Sequence, residues 1–397
     1  MDQTGRDRRY LFALGCLSMF LIATAGQILP AALGPISNEF HRNLAQSGIL
    51  LLLGPVGFIL STLVSGYLSD RWGQRPFILL GGALIAAGLG MIAFATTYSA
   101  LLGGLFLIGL SGGFLESPVS AVVADAFPEH RAQVLNLTQI FYNVGAVVGP
   151  ALLAGVLAFG WGWRSGFGLC IVLAVVSVIL GYRGLPKHRV SVEGGDSPGG
   201  VAPVRWGLVS AISLALFLYV GGEMTIAQWS AKYVQDTFGV VASRAALTVS
   251  GFWLGMGMGR ALYIPVVARF GYLPPLLASS LLGAACAFLA ASAGDGAWAG
   301  TACALSGFCL GGSWPTLLGY ASYCNPGRTG TVFGVIVSAG AAGAAVVPPL
   351  GGWVAQHSAS RIRATMVLGG CVVLLEGAVI LLLMAAERRR QKAQLRG

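Results

Sequence analysis

Glu116 lies in an unbroken apolar run, residues 112–124, and is the one acidic residue there. The turn Pro128-Glu129-His130-Arg131 separates it from a second apolar run, which carries Asn136, Gln139 and Asn143. The spacing 136, 139, 143 is i, i+3, i+7, which is one face of a helix. A carboxyl at the centre of a bilayer costs at least ~2.5–3.5 kcal/mol on insertion scales, so one that is kept there usually serves function. Such a group can bind a proton and return it. Amides on a neighbouring helix can hydrogen-bond a polar ligand or tie two helices together. A polar stripe on a membrane helix faces a wet cavity or another helix rather than lipid. Glu223, Glu376 and Arg260 also sit deep in apolar runs. Glu223 either binds a ligand or holds the outer end of its helix, and Glu376 is read as structural. Arg260 either pairs with one of these carboxyls or lies near a helix end. Trp229, Trp253 and Trp314 can stack on the flat face of a small ring or anchor helices at the membrane interface.

The elements that must position these groups are helices in a membrane. The 397 residues are 56% hydrophobic and only 10% charged, against ~25% charged in soluble domains. A span needs ~20 mostly apolar residues, and the apolar runs predict twelve. They fall at about 10–34, 49–69, 77–97, 101–124, 132–159 and 164–182, then 206–232, 243–268, 273–293, 297–322, 329–356 and 364–386. The first run is too long for the h-region of a cleavable signal. The net charge of +10 does not indicate nucleic acid, because the basic residues sit at helix ends. The seven cysteines lie within apolar runs without a Cys-x-x-Cys pair, which argues against a disulfide framework or a zinc site and for buried thiols. The four histidines fall at loops or helix ends, so no buried histidine relay is expected. Asn136-Leu-Thr138 matches a glycosylation pattern but lies inside a span.

The two halves repeat. Arg71/Arg269, Gly73/Gly271, Pro76/Pro274, Gly109/Gly307, Gly113/Gly311, Pro128/Pro326, Gly145/Gly343 and Pro150/Pro348 share one offset, 198 residues. Residues 185–205 form the one long polar stretch and read as a linker between half 1–184 and half 206–397. With both termini placed in the cytoplasm, Arg71, Arg75, Arg131, Arg183, Arg205, Arg269 and the basic tail from Arg388 share one side. The other side has only Arg42, Arg164, Lys232, Arg244, Arg361 and Arg363. That asymmetry orients an even number of spans in an inner or plasma membrane. Two repeated six-helix halves suit a transporter with a central site.

Gly66-x-x-x-Asp70-Arg71-x-Gly73-x-Arg75 resembles the loop between helices two and three of the major facilitator superfamily. Physically, Gly66 allows close helix contact, Gly73 a tight turn, and Asp70 an ion pair or a helix cap. The resemblance covers the whole chain. It implies an all-α polytopic fold of twelve transmembrane helices in two six-helix pseudo-symmetric halves, with Gly66, Asp70, Arg71, Gly73, Arg75 and Arg131 at a cytoplasmic gate. A narrower likeness joins Leu115-Glu116-Ser117, Leu135-Asn136-Leu137-Thr138-Gln139, Tyr219-Val-Gly-Gly-Glu223-Met-Thr-Ile-Ala-Gln228-Trp229 and Gly251-Phe-Trp253-Leu-Gly-Met-Gly-Met-Gly259-Arg260. Together they resemble the fucose/galactose/glucose–proton symporter group, which implies that Glu116 couples protons. Where that group has a helix-one aspartate, this chain has Gln27, in Gly26-Gln27-Ile28-Leu29.

The expectation is therefore a carrier, not an enzyme, moving a small polar solute, a hexose or related sugar, by proton symport. Gln27, Asn136, Gln139, Asn143, Glu223, Gln228, Trp229 and Trp314 are its expected solute contacts, and Glu116 its proton site. No cofactor or metal is expected beyond an ion gradient, protons first and sodium as the other choice. The expected partners are the solute and the lipid bilayer, without nucleic acid, for a chain acting as a monomer. A proton-antiporting exporter of amphipathic compounds would use the same fold with a more apolar cavity. A membrane-embedded transferase would need a catalytic dyad or a nucleotide or metal motif, and the sequence displays none.

Overall fold

The computed structural model describes residues 3–184, 205–325 and 329–394. They form helices joined by short turns. In the first half these are α1 (Gln3–Glu39), α2 (Leu44–Trp72), α3 (Arg75–Ala93), α4 (Tyr98–Ala126), α5 (Arg131–Ala158) and α6 (Trp163–Gly184). In the second they are α7 (Trp206–Phe238), α8 (Ala242–Phe270), α9 (Leu273–Ala291), α10 (Gly296–Leu310), α11 (Ser313–Cys324), α12 (Thr329–His357) and α13 (Arg363–Gln394). Ten helices among the described residues are long and apolar enough to cross a membrane by length and composition. α8 carries Arg260 and a run of glycines, and α10 with α11 is one span broken in the middle. The fold is all-α, with twelve transmembrane helices in two six-helix pseudo-symmetric halves. The expected linker, apart from Arg205, lies outside the described residues.

The repeat appears directly in the helix bounds. The 198-residue offset carries Leu44–Trp72 onto Ala242–Phe270, Arg75–Ala93 onto Leu273–Ala291, and the ends of α4 onto Gly296 and Cys324. The glycines that mark it in the sequence are points where backbones touch. A Cβ at Gly109 would lie 2.1 Å from the Gly54 carbonyl oxygen, and one at Gly307 would lie 2.3 Å from that of Phe252. The turns after α2 and α8 need a left-handed residue, and Gly73 (φ 79°) and Gly271 (φ 75°) supply it.

By contact density the chain divides into two compact units. One is Met1–Asn43, Ile49–Asp196 and Val241–Ser250; the other is Leu44–Gly48, Ser197–Val240 and Gly251–Gly397. In the first, α1 packs on α5, α4 and α6, and α3 lies against α4 and α6. The ends of α1, α3 and α6 are tied by Arg164, which meets Glu39 at 2.7 Å and donates to the Ala95 carbonyl at 3.0 and 2.6 Å. In the second, α7 packs on α12, α13 and α10, and α9 on α13 and α10. Large apolar side chains such as Leu63, Ile264 and Leu382 remain more than 55% exposed, as a lipid-facing surface requires.

The structure departs from the sequence reading in several places, and α2, α7 and α13 extend beyond their expected bounds. α1 continues past Gly34 to Glu39, with Pro30 and Pro35 inside it; membrane helices tolerate proline because neighbours satisfy the freed carbonyls. The expected span 297–322 is interrupted at Gly311-Gly312. The Tyr263 ring occupies the space there, and a Cβ at Gly312 would lie 1.9 Å from it. The thiols are not uniformly buried, since Cys371 is exposed.

Candidate functional site

The first unit presents accessible polar groups on α4 and α5. α4 starts at Thr97, whose hydroxyl accepts the Ala100 N–H at 3.3 Å. Its glycine face then packs on α2: Gly109 meets Gly54, and Gly113 meets Ser61 and Thr62. Ser65 of α2 donates to the Gly113 carbonyl at 3.0 Å. Glu116 continues this face, seven residues after Gly109 and three after Gly113. It is partly exposed, and among the described residues no hydrogen bond or ion pair holds its carboxyl.

α5 is clamped to α1 by close backbone approach. A Cβ at Gly145 would lie 2.4 Å from the Phe20 carbonyl oxygen, and Thr24 donates to the Gly145 carbonyl at 3.3 Å. Thr138, Gly145 and Gly149 belong to that clamped face. Gln139 and Asn143 lie off it and are partly exposed. Gln27 of α1 is buried at 6% exposure. Asn136 is in α5, but its side chain lies outside the described ones. The arrangement on α4 and α5 is thus the Glu116 carboxyl, without a cation among the described residues, with amides on the adjoining helix.

The second unit treats its candidates differently. Trp229 of α7 is fully buried, and its indole N–H donates to the Pro348 carbonyl of α12 at 2.9 Å. It therefore packs α7 against α12. Replacing it by phenylalanine should lower stability by ~1–3 kcal/mol for the carbonyl left unpartnered, with a further cost for the indole volume lost, and leave solute affinity unchanged. Thermal unfolding and a binding titration on one sample check both halves of that statement. Gln228 is part-buried; its amide N–H faces Met224 Sδ at 3.8 Å, and its Oε1 is buried without a partner among the described residues. Trp314 opens α11, is partly exposed, and lies against Gly340.

Glu223 is 4% exposed and within hydrogen-bond reach of Tyr219, with Arg260 close enough to act on both electrostatically. These groups gather around the break between α10 and α11. The break frees backbone carbonyls, and side chains take them up. Tyr219 donates to Leu310 O at 3.2 Å, Arg260 Nε to Gly311 O at 3.1 Å, and Ser279 to Cys309 O at 2.7 Å. Tyr219 and Ser279 are contributors that the sequence reading missed, because their partners are carbonyls that become free only when the helix breaks.

At the turn after α2, Gly66, Asp70 and Arg71 lie in the last turns of α2 and Arg131 at the start of α5. The side chains of Asp70 and Arg131 lie outside the described ones. Arg75 donates to the Tyr182 carbonyl at 3.0 Å and stands over the Tyr182 ring at 5.5 Å, joining the start of α3 to the end of α6.

The model of the Major Facilitator Superfamily matches residues 15–345 and 212–397. The fosmidomycin resistance protein of Escherichia coli is 27% identical over 367 residues, 89% of each chain. A bacterial homologue of the human lysosomal transporter Spinster, solved inward-facing and unoccupied, has the same fold with a TM-score of 0.76. It is 15% identical, over 95% of this chain and 96% of that one. The fucose–proton symporter of Escherichia coli also shares the fold, with a TM-score of 0.62 and 20% identity over 94% and 98% of the two chains. The repeated six-helix halves, the glycine turn after α2 and the match over nearly the whole sequence lead to one statement: the chain belongs to the Major Facilitator Superfamily.

Proposed function

We propose that this transporter moves a small polar solute by proton-coupled symport through alternating access, with a hexose or related sugar as the expected solute. The observation that supports this most is Glu116, a partly exposed carboxyl midway along α4 without a cation or hydrogen-bond partner among the described residues. A charge so placed is costly unless something neutralises it, and a proton does so reversibly. Gln139 and Asn143 on α5 offer neutral donors and acceptors of the kind a hydroxylated solute engages.

In this reading Glu116 takes a proton while the site is open to the outside, solute binds, and both leave once the halves rock towards the cytoplasm. Gln27 cannot titrate, so Glu116 acts without a carboxyl on α1. We assign Asp70, Arg71, Arg75 and Arg131, with Gly66 and Gly73, to the cytoplasmic gate. The chain is placed as a monomer in the plasma membrane with both termini inside.

Proton-antiporting export is the second reading, favoured by the likeness to the fosmidomycin resistance protein. Liposomes bearing the purified protein and an imposed pH gradient separate the two. The panel is hexoses, pentoses, sugar acids and fosmidomycin. Symport concentrates the solute on the alkaline side, and antiport on the acidic side. A panel in which no member responds to the gradient would end both readings.

A further inference from the structure

The second unit holds a carboxyl that the reading above does not use. Glu376 lies midway along the apolar span Arg363–Arg389 of α13 and is 0% exposed. Among the described residues neither of its carboxyl oxygens has a hydrogen-bond partner. α13 packs on α7, α9 and α12. From α7, Tyr219 and Glu223 stand within electrostatic reach of Glu376. From α9, Ser280 lies beside it, next to Gly377. Tyr263 of α8 is the other titratable neighbour. α12 has no charged side chain before His357. None of these neighbours is a cation, and the guanidinium of Arg260 acts on Glu223 and Tyr219.

Full burial away from a cation disfavours the charged form of Glu376, and Ser280 can receive the proton of the neutral one. Its hydroxyl already donates to the Leu276 carbonyl at 2.9 Å. What remains on its oxygen is lone pairs, which accept a hydrogen and have none to give. While that bond to Leu276 holds, a carboxylate gains nothing from this neighbour, whereas a carboxylic acid O–H gains an acceptor. The charges close as well: two carboxyls, one guanidinium and one proton make a neutral core. Two acids in different surroundings commonly divide the roles of ion and neutral acid in this way.

We propose that Glu376 is a second proton-binding site, holding one proton directed towards Ser280 while Glu223 carries the negative charge opposite Arg260. This site belongs to the second unit and stands whether or not Glu116 couples transport. Its ligand is the proton, and its effect is to keep a doubly acidic cluster neutral at the depth of the membrane.

Infrared difference spectroscopy on the full chain in liposomes at neutral pH tests it. Wild type minus Glu376→Gln should show the C=O stretch of a protonated carboxyl, with no loss of carboxylate bands. The same band should persist in Glu116→Gln. Ser280→Ala removes a single oxygen and should move that band without abolishing it, so the proposal stays testable where the Glu376 variant does not assemble. Loss of carboxylate bands on replacing Glu376, or an unchanged C=O region in Ser280→Ala, would overturn the proposal.

Discussion

Glu116→Gln is expected to abolish uphill accumulation while leaving solute exchange intact. Glutamine copies the shape and neutrality of the protonated acid, so the variant should bind solute and cycle with it. It cannot release a proton, so the cycle no longer senses the gradient. One proton per solute supports about tenfold accumulation for each pH unit, since a factor of ten corresponds to about 1.4 kcal/mol. The wild type should approach that ratio in proteoliposomes, and the variant should stay near one. Counterflow of labelled solute, which needs no gradient, should be retained. A variant that concentrates solute as well as the wild type would remove Glu116 from coupling and turn attention to Glu223.

Leucine at Gly109 or at Gly307 is expected to destroy the folded protein. The first added carbon would stand 2.1 or 2.3 Å from a backbone oxygen of the neighbouring helix. Backbone cannot yield as a side chain tip does, so the helices must separate and lose packing along their length. Overpacking a core typically costs ~1–3 kcal/mol, and contact with backbone on this scale lies at or above the upper end. Gly90→Leu and Gly257→Leu serve as controls, because a Cβ there meets nothing within 4 Å. Yield of monodisperse protein and thermal unfolding should separate the two pairs clearly. Equal behaviour of all four would show that close approach is not what these glycines provide.

The same steric demand explains why the fold could be read from the sequence. Gly109 and Gly307, or Gly73 and Gly271, hold the 198-residue offset because each contact or turn admits no other residue comfortably. Glu116 stood out because a lone carboxyl in an apolar run has few ordinary explanations. The break at Gly311-Gly312 was illegible for the converse reason. Glycines also serve continuous helices, as Gly255 and Gly259 do in α8, and what occupies the break is the ring of Tyr263 from another helix. Trp229 shows the same limit. An indole on α7 suits a solute or a neighbour equally well, and the carbonyl that receives its N–H, that of Pro348, is 119 residues away in the chain. The clamp of Arg164 on Glu39 and Ala95 likewise joins helix ends that are remote in sequence.

The central claim is that a proton travels with the solute, and internal pH reports it most directly. Lightly buffered liposomes carrying the protein and a trapped pH indicator receive a transported solute from outside, with no pH gradient and no sodium. The account predicts that the lumen acidifies as solute enters, and that Glu116→Gln, in liposomes preloaded with unlabelled solute, exchanges it for labelled solute without this acidification. Solute entry at constant internal pH in the wild type would contradict it.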